Sequence, residues 1–381
     1  MSVSFWQEPG AEKRPEYAEV AIIGAGLIGA YLALRLREEG RHVAIVESLH
    51  VAGGASGRNA GMVLSGIADN YYQAVERYGR SEARTLWAVT LRNRELMLGL
   101  AQRFGSPVGM GGSLVLAVDD EEARELREAA ALLHEDGFSV EFHPTDPLRR
   151  GFCAAIHDPG NFVINPVHLV RSLIEAAGAR LYEGSQVYAL ESSEDSVLIR
   201  ARGLNLAAQQ VILATNAFTP LIEPTFAQVI IPQRGQVLIT APNPPVLKLP
   251  CYANRGFDYF RQLSDGRFLM GGCRNRAFDE ESTYADMATP RVQAALEAFL
   301  ARYFPDVTAP VERRWSGTMG FTPDGLPLVG RLRRDERIAF AVGFNGHGLG
   351  LGLMAAEELL AELRGHEPGF FSARRLMNEA V

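Results

Sequence analysis

"VAIIGAGLIGAYLALRLREEGRHVAIVE", Val20–Glu47, decides the fold. Val20–Ile23 reads as a buried strand: four apolar residues, stopped by Gly24. Leu27–Glu39 reads as a helix, with Gly40 where the residue past a helix C-terminus belongs. His42–Glu47 reads as a second buried strand. Strand, helix and strand form one βαβ unit, the start of a parallel sheet.

The turn inside this unit is GxGxxG, at Gly24, Gly26 and Gly29. Gly24 permits the tight turn, Gly26 lets backbone approach a pyrophosphate, and Gly29 lets the helix pack close to the strand. The helix N-terminus offers unpaired N–H groups to the phosphates. Glu47 ends the second strand, 18 residues after Gly29. A carboxylate there accepts from both ribose hydroxyls of an adenosine and repels a 2′-phosphate, which disfavours NADP. The unit is thus a dinucleotide-binding signature, and by itself it does not separate NAD from FAD. A second glycine loop, "GGASGRNAGMV" (Gly53–Val63), points to FAD. Its small residues let backbone reach a ligand, and Ser56, Arg58 and Asn59 offer polar groups for a second phosphate and a flavin edge. The bland alternative is a flexible surface loop.

Further along, Ser81 is expected to cap a helix to Phe104. Asp119 or Asp120 caps Glu121–Asp136, and Asn165-Pro166 opens a helix that ends at Gly178. Strands are expected at Gly112–Val118, Leu181–Leu190, Val197–Ala201 and Gln210–Ala217. From Phe226 to Cys273 the pattern is strand-rich, and Thr289-Pro290 opens a helix to Tyr303. The tail returns to a strand at Ile338–Val342, a glycine-rich turn and a helix to Leu363. The fold class read from this is α/β plus β: a Rossmann-like FAD/NAD(P)-binding domain with an interleaved antiparallel-sheet substrate domain. The expected division puts 18–65, 150–217 and 310–375 in the first domain, and 66–149 and 218–309 in the second.

Two C-terminal stretches complete the pattern. "AVGFNGHGLGLGLM" delivers glycines and His347 to a helix start, where N–H groups would stabilise the negative edge of a reduced flavin. "WSGTMGFTPDGLPLVGR", Trp315–Arg331, contains a Thr322-Pro-Asp-Gly turn. With "IIPQRGQVL" and "ILATNAF", these stretches in this order resemble the D-amino-acid-oxidase-like family of FAD-dependent oxidoreductases, the relatives of glycine and sarcosine oxidases. "SFWQE" (Ser4–Glu8) and "GASGRNAG" resemble most the branch containing gamma-glutamylputrescine oxidoreductase. The resemblance covers nearly the whole chain and implies noncovalent FAD. It assigns to the cofactor Gly24, Gly26, Leu27, Ile28 and Gly29, then Glu47 and Ser48. The second loop adds Ala55, Ser56, Arg58, Asn59, Ala60, Gly61 and Met62. Backbone around Val187 would meet the adenine, with Thr215, Asn216, Ala217 and Gly317 closing over the cofactor. Gly343, Gly346, His347, Gly348, Leu349 and Gly350 would face the flavin. The implied reaction is oxidation of the C–N bond of an amine or amino acid (N-substituted or D-) by hydride transfer to flavin N5, followed by imine hydrolysis. The acceptor would be dioxygen or another oxidant.

The chain also departs from that family. Met319 stands where glycine-oxidase-like members carry a carboxylate-clamping Arg. Gly350 stands where sarcosine-oxidase-like members carry a Lys, and the segment Trp315–Phe321 has no Cys for a covalent flavin link. Lysine occurs only at positions 13 and 248. Other anchors are therefore expected. Arg255, Phe257, Tyr259 and Arg261 alternate, so a strand would place them on one face, either lining the cleft or facing solvent. Arg58 and Arg234 are further cations, and Met319 and Phe321 would form an apolar wall. No catalytic acid or base is assigned.

The totals exclude other classes. A net charge of −7 with scattered Arg argues against nucleic acid. Val20–Leu34 is too short to span a bilayer, and no targeting segment is recognised. Cys153, Cys251 and Cys273 give neither a disulfide framework nor a CxxC site, which fits a cytoplasmic location. The histidines show no HxxxH spacing, so no metal is expected. Two competing readings stay open: an NAD-dependent dehydrogenase, and a non-catalytic flavin-binding subunit.

Overall fold

The computed structural model describes residues 15–377. The Ser4–Glu8 stretch and Lys13 lie outside them.

The opening βαβ unit forms as expected, with strands Glu16–Ile23 and Val43–Val46 parallel around helix Leu27–Glu38. The helix is apolar nearly all round because it is covered on both sides. Its buried residues pack in one core with those of helices Pro166–Ala177 and Gly348–Leu363. Strand Leu204–Leu213 runs parallel on the other side of Glu16–Ile23. It forks the sheet: its first half pairs antiparallel with Val197–Ala201, and its end pairs parallel with Asp335–Val342. Arg180–Tyr182 and Val187–Ser192 are separate strands on opposite edges of this sheet, so the single strand expected at Leu181–Leu190 is broken at the Gly184 turn.

A second eight-stranded sheet lies beside the first. Its order runs Val311–Phe321, Ile231–Pro242, Arg267–Gly272, Asp258–Gln262, Cys251–Ala253, Ser113–Ala117, Ala154–Asp158 and Glu141–His143. By sheet membership Ala154–Asp158 and Val311–Phe321 belong here, whereas boundaries at 150 and 310 put them with the first sheet. Their partners are distant in sequence, and that pairing leaves no local mark. A small sheet of Met62–Val63, Phe162–Ile164 and Val108–Met110 joins the two.

Two helix starts follow their expected caps, whereas the helix expected to begin at Ser81 starts at Arg80 behind Gly79, with no side-chain cap. Asp119 accepts from the Glu122 amide, and Asn165 from that of His168 ahead of Pro166. A helix at Tyr71–Tyr78, absent from the sequence reading, begins with a capping box between Asn70 and Gln73. Glu358, on the last long helix, accepts the Phe371 amide at 2.7 Å. Burial pushes its carboxyl up to about 7 from an ordinary 4.5. An acid raised in this way binds its proton more tightly when folded. Its contribution is therefore best below pH 4.5 and is lost as pH rises to about 7, on the order of 2–3 kcal/mol. Glu358→Gln keeps the acceptor and removes the charge. Its gain in urea-unfolding stability over wild type should grow from pH 5 to pH 8.

Candidate active site

The first loop has the expected shape. Gly24 has φ +110°, and a Cβ there would lie 2.7 Å from the Ala214 carbonyl oxygen. A Cβ on Gly26 would meet Ser56 Oγ at 2.9 Å, and one on Gly29 would collide with the Gly24 carbonyl oxygen. Ser56 Oγ accepts the Leu27 amide at 2.9 Å. The amides of Gly26, Ile28 and Gly29 find no partner among the described residues, which leaves an open helix N-terminus for a pyrophosphate. The strand stops at Val46, and Glu47 is the residue directly after it. Its carboxylate accepts from the Ala25 and Leu49 amides, each at 2.8 Å, and from the Ser48 hydroxyl. That fills three of its roughly four acceptor positions and leaves room for a ribose hydroxyl.

The polar side chains of the second loop point inward. Arg58 donates to the Gly53 and Ser316 carbonyls, each at 2.8 Å, and pairs with Asp286 at 2.7 Å. Its stem packs on Gly317. Asn59 donates to the Ala55 and Ser56 carbonyls and accepts the Gly61 amide. These bonds hold the loop's shape. The Asn59 and Ala60 amides are free among the described residues. Met62 is buried in the short strand that follows the loop, and Val187 is buried at a bulge.

The C-terminal turn is stitched to two other segments. Asn216 (φ +46°) accepts the Gly343 and Phe344 amides at 3.0 and 3.2 Å. Asn345, buried, accepts the Thr322 amide at 2.8 Å and donates to the Gly343 carbonyl at 2.7 Å. Asn93 donates to the Leu349 carbonyl and accepts the Leu353 amide, so helix Arg80–Arg103 fixes the start of the last helix. Thr215 shares a hydroxyl hydrogen bond with Thr219, and Ala217 is fully buried. The Gly348 and Leu349 amides are free among the described residues. Gly350, by contrast, serves packing: a Cβ would meet the Leu64 carbonyl oxygen at 3.0 Å.

A cavity of about 380 Å³ opens beside this turn. Its walls include Met319, Phe321, His347 and Tyr259. His347 Nδ1 lies 3.2 Å from the Asn345 carbonyl, so that nitrogen carries the proton and Nε2 is left as an acceptor. Burial lowers the pKa of this histidine, which keeps it neutral at pH 7.

The alternating face breaks up. The strand is only Asp258–Gln262, and Arg255 (φ +51°) sits in the preceding turn. Arg255 lies on the cavity wall but is paired with Glu125 at 3.0 Å and Glu121 at 3.2 Å. Arg261 donates to the Ala60 carbonyl at 2.9 Å, so it supports the second loop instead of lining the cavity. Arg234 is not a free cation either. It forms a two-pronged pair with Glu281, at 2.7 and 2.8 Å, and both side chains are almost fully buried. Glu281→Gln would leave that guanidinium uncompensated. It should lower stability by about 3–5 kcal/mol, read as a lower urea midpoint at constant m-value.

Arg77 and Arg274 also line the cavity; Arg77 is paired with Asp69, and Arg274, which sequence reasoning missed, has no acidic partner among the described residues. Its guanidinium lies 4.8 Å from the Phe257 ring centroid and 5.0 Å from that of Phe321. It makes no ion pair or hydrogen bond among the described residues, and its Nε is buried without a partner. Burial lowers its pKa, but an arginine stays charged at neutral pH. Tyr252 and Tyr259 stand near it with no hydrogen bond on either hydroxyl among the described residues, and burial pushes Tyr252 up to about 12. Arg274 is aimed by a sharp bend after strand Arg267–Gly272, with Gly272 at φ +126° and Cys273 at +55°. Buried Asp258 pins the bend, accepting the Cys273 amide at 2.8 Å. Burial beside Asp258 raises the Cys273 thiol well above its ordinary range, so it is no nucleophile.

Residues 19–363 match the family model for FAD dependent oxidoreductases, DAO. The chain belongs to that family. It is 26% identical over 372 residues to gamma-glutamylputrescine oxidoreductase of Escherichia coli, covering 92% of this chain and 85% of that protein. It is also 26% identical to glycine oxidase of Geobacillus kaustophilus, covering 89% and 92%. The crystal structure of that glycine oxidase superposes with a TM-score of 0.79 at 24% identity, over 93% of this chain and 96% of that one. The protein is therefore an FAD-dependent oxidoreductase, and the NAD-dependent reading is set aside. Among the described residues no helix is long and apolar enough to cross a membrane.

Proposed function

We propose that the protein oxidises the carbon–nitrogen bond of an amine that also carries a carboxylate, held by Arg274. The unpaired guanidinium carries this reading. A partly buried cation without a protein partner is poorly compensated, and a substrate anion that reaches it gains binding energy. Its two flanking phenyl rings suit a planar guanidinium and keep water away. Tyr252 and Tyr259, both protonated, supply hydroxyl donors to the same anion. His347 Nε2 offers an acceptor to the substrate amine, and Met319 and Phe321 give the apolar wall an N-substituent would meet.

FAD is held, on this reading, by the open amides at Gly26–Gly29, Asn59–Ala60 and Gly348–Leu349, with Glu47 on the ribose. When bound, it supplies the acceptor for the hydride leaving the carbon beside the amine. No residue need act as a strong base; the chain positions the substrate and excludes water.

Titration with small carboxylic acids and their primary amides tests the anchor. The acids should saturate a change in the flavin visible spectrum, while the isosteric amides should bind at least about tenfold more weakly. Equal binding of acid and amide would remove Arg274 from this role.

A further inference from the structure

Far along the second sheet, on its edge, three side chains converge that neither the fold nor the cavity requires. Glu141 and His143 are two apart on edge strand Glu141–His143, so they share a face. Glu141 lies directly across from His157 on the neighbouring strand. One ligand atom from each of the three lies within 4.8 Å of the others. A search for helical HxxxH spacing misses such a set, because on a sheet the neighbours are i+2 and the cross-strand partner. We propose that Glu141, His143 and His157 form a binding site for a divalent transition-metal ion of the zinc type.

Three observations carry this. First, the spacing fits. His143 Nε2 and His157 Nδ1 lie 3.7 and 3.6 Å from the same Glu141 oxygen. Zinc–ligand bonds of ~2.0–2.1 Å in a tetrahedron put ligand atoms roughly 3.3–3.4 Å apart. These two gaps are too long for a hydrogen bond and close to that edge length, and the two histidine nitrogens lie within 4.8 Å of each other. Second, the tautomer fits. His157 Nε2 lies 3.2 Å from the Gly111 carbonyl, which can only accept, so Nε2 carries the proton. In the neutral ring the lone pair is then on Nδ1, facing the carboxylate. A metal ion between them would take a lone pair from each. A ring nitrogen fixed by a backbone carbonyl is also the usual support of a metal-binding histidine. Third, the ring has a made seat. Gly111 and Gly112 have φ of +135° and +91°, and a Cβ on Gly112 would lie 2.5 Å from His157 Nε2. Two imidazoles and one carboxylate suit zinc, nickel or copper over magnesium or calcium, and open positions remain for water. A bound ion would clip the edge strand to its neighbour.

Calorimetric titration of the FAD-loaded protein with Zn²⁺, in a non-chelating buffer, tests the site. Wild type should take up one ion per chain, with a rise in Tm at saturation. Glu141→Gln and His143→Ala, both on exposed or partly exposed positions, should keep their flavin. Each should lose at least about tenfold in Zn²⁺ affinity, together with the Tm rise. Absence of stoichiometric uptake by wild type would overturn the proposal. So would uptake of equal affinity in both variants, which would place the ion elsewhere.

Discussion

Gly29→Ala should yield a protein that no longer retains flavin. The added methyl has nowhere to go: it falls on the Gly24 carbonyl oxygen, which is backbone, and it also approaches the Ile22 side chain. The helix must then move off the strand, and the amides of the open N-terminus move with it. Overpacking costs about 1–3 kcal/mol where side chains can yield, and here the obstacle cannot rotate away. The flavin-to-protein absorbance ratio of the purified variant should fall by more than about tenfold, a loss of over 1.4 kcal/mol of binding. Gly40→Ala is the matched control. Gly40 also has positive φ (+81°), but no atom lies within 4 Å of its Cβ position. It should keep its flavin and lose only about 1 kcal/mol of stability through backbone strain. Equal flavin loss in both variants would mean that the close approach at Gly29 is not what holds the cofactor loop.

Arg274→Met should separate catalysis from cofactor binding. The side chain touches neither glycine loop, so flavin content should match wild type. For a substrate bearing a carboxylate, kcat/KM should fall by roughly 30- to 5,000-fold, the cost of losing one partner of a desolvated charge pair. For the same amine without its carboxylate the variant should equal or exceed wild type. Arg274→Lys should restore little, because the two phenyl rings match a planar guanidinium and not a point charge. Stability gives an independent sign. Removing an unpaired, partly buried cation should raise the Tm of the substrate-free protein, whereas a merely structural arginine would lower it.

Much of this was legible in the order of the residues. "GAGLIG" between two apolar runs, with an acid at the end of the second, named the βαβ unit because each glycine meets a separate steric demand. The Asn165-Pro166 helix start was equally local. The parts that were not legible depend on partners far away in the chain. Arg58 and Asn59 looked like ligand donors, but a polar side chain in a glycine loop serves its own loop equally well. Arg255 and Arg261 looked equivalent by alternation. A turn at Asn254–Phe257 separates them, and one meets acids on a helix while the other meets the Ala60 carbonyl. Arg274 gave no periodic signal because it follows a bend, not a strand. Its importance lies in what it does not contact, which only the three-dimensional structure reveals.

The central claim is that a flavin-loaded cavity oxidises amines bearing a carboxylate. The most direct measurement is the visible spectrum of the purified protein before and after anaerobic addition of amines and amino acids, presented as pairs with and without a carboxylate. The protein should be yellow and bleach with at least one carboxylate-bearing member, and far more slowly with its decarboxylated partner. A yellow protein that no amine bleaches, or one bleached equally by both members of every pair, would contradict it.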